Sequence, residues 1–215
     1  KFIEVELSGA FENIEFFIPK EYDDYYPEPA CERQGSLGIV VKFIKRDKTK
    51  SIMVKKFIDP YVSKYKALQV MREIILMKTF KHANFVPFLE CYSVQEQQYA
   101  DPAKYYITEY CGDSLRSRIE YATNQPYCME NVKKWTGELL RVITSLHSYG
   151  EVHRNLHPGD ICIDDENNLK LLGFGRARVL NRLQNSADLP ARPYMPIEQL
   201  IDWTERYDEK GPDAD

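Results

Sequence analysis

The sequence predicts an α+β protein of two lobes: a β-rich N-lobe that carries one long helix, then a helical C-lobe. Three observations predict it. Short β-branched runs separated by polar turns mark the first third of the 215 residues. A stretch free of Gly and Pro, Ser63 to Phe80, repeats apolar residues at three- and four-residue steps. After Gly112 the apolar pattern turns helical and runs to Gly150. Strands first and helices afterwards place the junction at Tyr110–Gly112, which divides the chain into residues 1–110, with an N-terminal extension, and 111–215.

Taken in order, Gly38 to Ile44 and Ser51 to Val54 read as strands around the polar turn Lys45-Arg46-Asp47-Lys48-Thr49-Lys50. The helix over 63–80 is expected to bury Leu68, Met71 and Ile74 or Ile75. Two further strands, Phe88 to Val94 and Tyr105 to Glu109, flank a polar loop. In the second half Val132, Trp135, Leu139, Val142, Ile143 and Leu146 form one helical stripe, and Gly150 is its stop signal.

Composition bounds the class. Hydrophobic residues make up 43% and charged residues 29%, which suits a globular core. A net charge of −4 offers no basic field for nucleic acid or an anionic membrane, and no apolar run reaches membrane-spanning length. Five scattered cysteines without a C-x-x-C pair are expected to be reduced thiols of a cytoplasmic or nuclear protein. There is no clustered Cys/His set for zinc.

Five segments then stand in a telling order. Arg33-Gln34-Gly35-Ser36-Leu37-Gly38-Ile39-Val40 holds two glycines in a hairpin frame. Ile52-Met53-Val54-Lys55 ends a strand on a lysine, and Glu73 lies on the following helix among Val70, Ile74 and Met77. Val152-His153-Arg154-Asn155-Leu156-His157-Pro158-Gly159-Asp160 precedes a strand, and Leu169-Lys170-Leu171-Leu172-Gly173-Phe174-Gly175 follows it. Taken alone, two glycines are a turn, a strand-end lysine is solvated and a helical glutamate is exposed. Together they resemble the protein kinases, whose glycine-rich loop, strand lysine, helix glutamate, H-R-D-x-x-x-x-N loop and D-F-G occur in this order. Within the kinases the chain is similar to the mitogen-activated protein kinases, most closely the Jun N-terminal kinase branch. Val54-Lys55-Lys56-Phe57-Ile58-Asp59-Pro60-Tyr61 and Arg72 to Lys78 carry that likeness.

The resemblance implies a nucleotide site between the lobes, vestigial or weak, made of Gly35, Gly38, Val40, Lys55, Glu73, Thr108, Glu109 and Cys111. It implies a spine of Met77, His153 and Phe174, and arginines at 154 and 178 that receive a phosphorylated activation segment. Partners would be kinases, substrates or scaffolds of a MAP kinase pathway. The departures carry equal weight. Asn155 stands at the catalytic-base position and Gly173 at the primary metal position, so no catalytic residue is expected. Asp160, at the second metal position, is the remaining candidate for Mg²⁺. Arg33 and Met53 are expected to narrow the nucleotide pocket, leaving ATP bound weakly at most. The Thr-x-Tyr position falls near Ser186-Ala187-Asp188, without its tyrosine, and A-P-E reads Pro196-Ile197-Glu198. The later C-lobe helices of the family would lie past Asp215. The sequence therefore points to a degenerate, pseudokinase-like domain that regulates or scaffolds signalling. Alternatives are a Ser/Thr kinase binding its metal through Asp160, and an ATP-binding sensor.

Overall fold

The computed structural model describes residues 1–35, 37–96, 101–121, 127–179 and 194, with the backbone alone for residues 10 and 29–35. Ser36, the Arg33 side chain and the segments around Ser186–Asp188, Pro196–Glu198 and Gly211–Asp215 lie outside that description.

A small hairpin opens the chain: β1 (Phe2–Glu4) pairs antiparallel with β2 (Phe17–Pro19). Then β3 (Tyr25–Gly35), β4 (Gly38–Lys45) and β5 (Ser51–Phe57) lead to helix α1 (Lys64–Thr79), and β6 (Phe88–Val94) and β7 (Ala103–Glu109) follow it. The five strands β3 to β7 make one sheet in the order β3-β4-β5-β7-β6, every pairing antiparallel. Side chains alternate across this sheet, so Ile39, Val41, Phe43, Val54 and Ile107 turn to one face and are fully or almost fully buried there with Phe16 and Ile18 of the hairpin. At Gly38 a side chain would overlap the Lys56 carbonyl oxygen, so close β4–β5 packing requires this glycine.

Ser63 caps α1, its hydroxyl accepting the Lys66 N–H at 3.1 Å. The helix is rotated from the expected face. Gln69, Val70, Glu73, Leu76 and Met77 are buried, whereas Met71 and Ile75 are 56% and 52% exposed. Counting apolar residues misses this rotation because a glutamate faces inward, paired with a lysine of the sheet.

After the sheet, β8 (Asp113–Ser114), α2 (Leu115–Tyr121) and α3 (Met129–Ser148) begin the second lobe, followed by β9 (Glu151–Val152), β10 (Ile161–Ile163), β11 (Leu169–Leu171) and β12 (Arg178–Val179). Along α3, Trp135, Val142 and Leu146 are buried as the stripe predicts, but Val132 is exposed. Glu138 is buried instead, because its Oε2 accepts the Leu169 N–H at 2.7 Å and ties α3 to β11. Short pairings β11-β10-β8 and β12-β9 fix the loops between them. Met77, Phe85, Val142, Leu146, Ile163 and Phe174 belong to one core that joins α1 to this second lobe. Cys91, Cys111, Cys128 and Cys162 carry free thiols. Among the described residues no helix is long and apolar enough to cross a membrane.

Candidate active site

A cavity of about 840 Å³ opens between the sheet and the second lobe. Val40, Lys55, Glu73, Thr108, Glu109 and Cys111 all line it, and so do Asn155, Asp160 and Gly173. Gly38 lies off its wall, fixed by strand packing, and Gly35 pairs with it across the hairpin.

Strand β5 holds two consecutive lysines that point to opposite faces. Lys55 Nζ donates to Glu73 Oε1 at 2.5 Å, and the Tyr106 hydroxyl donates to the same oxygen at 2.7 Å. Glu73 is 1% exposed. Burial, then the Glu73 charge, pushes the Tyr106 phenol well above its ordinary pKa, so it remains a donor. On the other face Lys56 pairs with Glu96 at 2.7 Å, beneath the Tyr105 hydroxyl. Sequence reading found the first pair through its spacing. It missed Tyr106 of β7 and Glu96 just after β6, because partners distant along the chain leave no local signal.

Thr108 is buried opposite Met53 in the β5–β7 register, and both face the cavity. The Cys111 thiol is pushed up to about 12 by burial, which makes it an inert packing group.

The loop after β9 carries the second half of the site. His153 is 3% exposed, and its Nδ1 accepts the Asn155 N–H at 3.4 Å, which leaves the proton on Nε2 to donate to the Leu172 carbonyl at 2.9 Å. Its ring meets Phe174 edge-on at 4.9 Å, and Phe174 in turn lies 4.7 Å from Phe85. Of the expected trio, Met77 and Phe174 share one buried core, and the buried His153 packs its ring on Phe174.

Burial lowers the His153 pKa to about 4, against about 6.5 for the unfolded chain. Between these values the unfolded chain takes up a proton that the folded one refuses, so this contribution to stability is present above pH 6.5 and lost toward pH 4. The unfolding free energy of wild type minus that of His153→Phe should fall by about 3 kcal/mol from pH 7 to pH 4. Urea titrations at several pH values measure it, and a difference that stays flat would show that the ring is not held neutral.

Gly173 adopts φ +86°, the left-handed region that favours glycine. A Cβ here would overlap the Asp160 carboxyl group, whose Oδ2 lies 2.6 Å away. Asp160 thus occupies the space that a side chain at 173 would take. Asn155 Nδ2 donates to Asp160 Oδ2 at 3.4 Å, and His157 Nε2 lies 3.2 Å from the same oxygen. His157 Nδ1 accepts the Gly159 N–H, so the ring proton faces the carboxyl. Burial, then Glu73, raises the Asp160 pKa to about 8, while burial lowers that of His157.

Protein kinase domains as a class use ATP with Mg²⁺. The residues present here do not fit the cation. Gly173 has no ligand to offer, and the Asp160 carboxyl is turned onto Asn155 and His157, with Oδ2 at 3.4 Å from Asn155 Nδ2 and 3.2 Å from His157 Nε2. Asn155 lacks a carboxylate to accept a substrate proton, and its Oδ1 instead accepts Arg176 Nη1 at 3.3 Å. Arg176 and Arg116 also line the cavity, and sequence reading singled out neither. An arginine just past the glycine motif has no period or spacing to mark it.

Arg154 and Arg178 do come together, joined by Arg72 of α1. Burial first, then Arg72 and Arg154, lowers the Arg178 pKa to about 10. Arg72 Nη1 is shielded from solvent and meets no acceptor among the described residues.

Residues 34–215 match the protein kinase domain family. The chain is 29% identical over 181 residues to mitogen-activated protein kinase pmk-3 of Caenorhabditis elegans, covering 81% of this chain and 38% of that protein. It is 27% identical over 195 residues to mitogen-activated protein kinase HOG1 of Debaryomyces hansenii, covering 90% and 46%. With HOG1 of Candida albicans it shares 26% over 207 residues, covering 95% and 52%. The chain thus spans about half the length of these relatives, or less.

Proposed function

Because the chain belongs to the protein kinase domain family and is MAP-kinase-like within it, we propose that it has lost efficient phosphoryl transfer and serves MAP kinase signalling as a regulator or scaffold. The observation that carries this is the rebuilt centre. At Asn155 the base position holds an amide bonded to Arg176, and at Gly173 the metal position holds space filled by Asp160. Loss of a general base alone costs about 10²–10⁴ in rate, or about 3–5 kcal/mol of barrier.

What remains is suited to binding. The Lys55–Glu73 pair and the Met77–His153–Phe174 core join α1 to both lobes, so the two halves form a stable platform for signalling proteins. Division at residues 110 and 111, placement nearest the Jun N-terminal kinase branch, and residence in cytoplasm or nucleus belong to the same proposal. ATP is a weak ligand of the cavity, bounded by Val40, Lys55, Thr108, Glu109 and Cys111.

A Ser/Thr kinase that binds metal through Asp160 is the second reading. One observation favours it: the carboxyl stands where the lost ligand would be. Its contacts with Asn155 and His157 oppose it. An ATP sensor needs only Lys55 and the cavity.

Replacement by Lys55→Arg in the full-length protein tests the proposal, since arginine keeps a counter-ion for Glu73 while displacing the phosphate-binding ammonium. Signalling output in cells should be unchanged. Loss of output with the protein still folded would mean that the chemistry matters.

A further inference from the structure

The charge on the cavity wall does not favour a polyphosphate. Glu109, Asp113 and Glu120 line it beside Glu73 and Asp160, so the described side chains supply no surplus of positive charge. Lys55, the expected phosphate partner, is already held by Glu73 at 2.5 Å.

An apolar side chain covers the same place. Leu37 directly precedes Gly38 at the β3–β4 turn. Its carbonyl accepts the Ile58 N–H at 3.2 Å, which ties the turn to the end of β5. Its side chain lines the cavity and packs on the cluster of Phe57, Val70 and Tyr106, beside the Lys55–Glu73 pair. It also reaches the second lobe. A Cβ on Gly175 would stand 2.5 Å from Leu37 Cδ1 and 3.1 Å from Glu73 Oε2, so a Leu37 methyl group rests on the glycine next to the Glu73 carboxylate. A phosphate approaching Lys55 would have to displace this side chain or lie against it, and a charged group that loses water without a hydrogen bond in return is penalised. The rest of the wall is different. Val40, Met53 and Leu172 give it apolar surface and Thr108 a hydroxyl, which suits a flat, uncharged heterocycle.

We propose that Leu37 is a specificity-determining residue that closes the phosphate end of the cavity, so that the site takes an uncharged purine nucleoside in preference to a nucleotide. This rests on the reading of the cavity as a weak ATP site and goes beyond it by naming the side chain that makes ATP weak and the class of ligand that is admitted.

Calorimetric titration with adenosine, AMP and ATP, each in EDTA and each with Mg²⁺, tests this on wild type and Leu37→Ala. Melting curves confirm that the variant is folded. Wild type should bind adenosine more tightly than AMP or ATP, with or without the cation. Leu37→Ala should bind ATP about tenfold more tightly than wild type does and adenosine about equally. Three results would each overturn the inference: ATP as tight as adenosine or tighter in wild type, an ATP affinity that Leu37→Ala leaves unchanged, or no adenosine binding at millimolar concentration. The first and third are read on wild type, so the outcome does not depend on the folding of the variant. Phosphoryl transfer followed in the same samples separates the two readings. Transfer by wild type above that of Lys55→Arg, with adenosine still preferred, would sink the impaired-kinase reading alone. Unchanged ATP affinity in Leu37→Ala, without transfer, would sink the Leu37 assignment alone.

Discussion

Glu73→Ala should destabilise the protein by about 3–5 kcal/mol, and Lys55→Ala by a comparable amount. Glu73 is 1% exposed and receives both Lys55 at 2.5 Å and the Tyr106 hydroxyl at 2.7 Å. Removing either charge leaves the other with a desolvation cost and no partner. Phe57, Val70 and Tyr106 pack around one side of the pair, whose other side lines the cavity. Denaturant unfolding of the two single variants and the double variant measures the effect. The double variant should lose much less than the sum, because each single variant already breaks the same contact. Losses below about 1 kcal/mol in both would place the pair with ordinary surface ion pairs and remove its part in holding α1.

Gly173→Asp should fail to restore a metal site and should destabilise the fold. A residue other than glycine at φ +86° costs about 1–3 kcal/mol in backbone strain alone. The new Cβ also overlaps the Asp160 carboxyl, which must leave Asn155 and His157. Two carboxyl groups would then share the space with Glu73 nearby, an arrangement of like charges. A lowered melting temperature, with no Mg²⁺-dependent gain in ATP binding, is the expected outcome. A variant as stable as wild type that gains tight Mg²⁺-dependent ATP binding would show that Asp160 moves aside at no cost.

Much of this was legible in the chain. Lys55, Glu73, His153 to Asp160 and Gly173 to Gly175 keep the order and spacing that identify the site, and the structure brings Lys55, Glu73, Asn155, His157, Asp160, Gly173 and Gly175 to one cavity. Strands β4, β5 and β6 follow from β-branched runs between polar turns. The inward face of α1 was legible at Glu73, set among Val70, Ile74 and Met77, but the apolar repeat also pointed Met71 and Ile75 inward, and both are exposed. Apolar periodicity is blind to a buried ion pair. Strand β3 and the hairpin β1–β2 escaped for another reason. Pro19, Pro27 and Pro29 and the acidic residues among them weaken local strand propensity, and pairing with distant strands supplies what propensity lacks. Asp160 was recognised as a candidate ligand, but its occupation of the space at Gly173 depends on side-chain placement that no spacing encodes. Arg176 needed the structure altogether.

Transfer of labelled γ-phosphoryl from ATP to a generic protein substrate is the measurement that bears most directly on the loss of catalysis. Wild type is compared with Lys55→Arg, with Mg²⁺ and with Mn²⁺, over times long enough to detect slow turnover. Wild type should be indistinguishable from Lys55→Arg with either cation, since Asn155 cannot serve as the carboxylate base and Gly173 holds no metal. Transfer by wild type that exceeds Lys55→Arg and depends on the cation would contradict this, and would make Asp160 a working metal ligand.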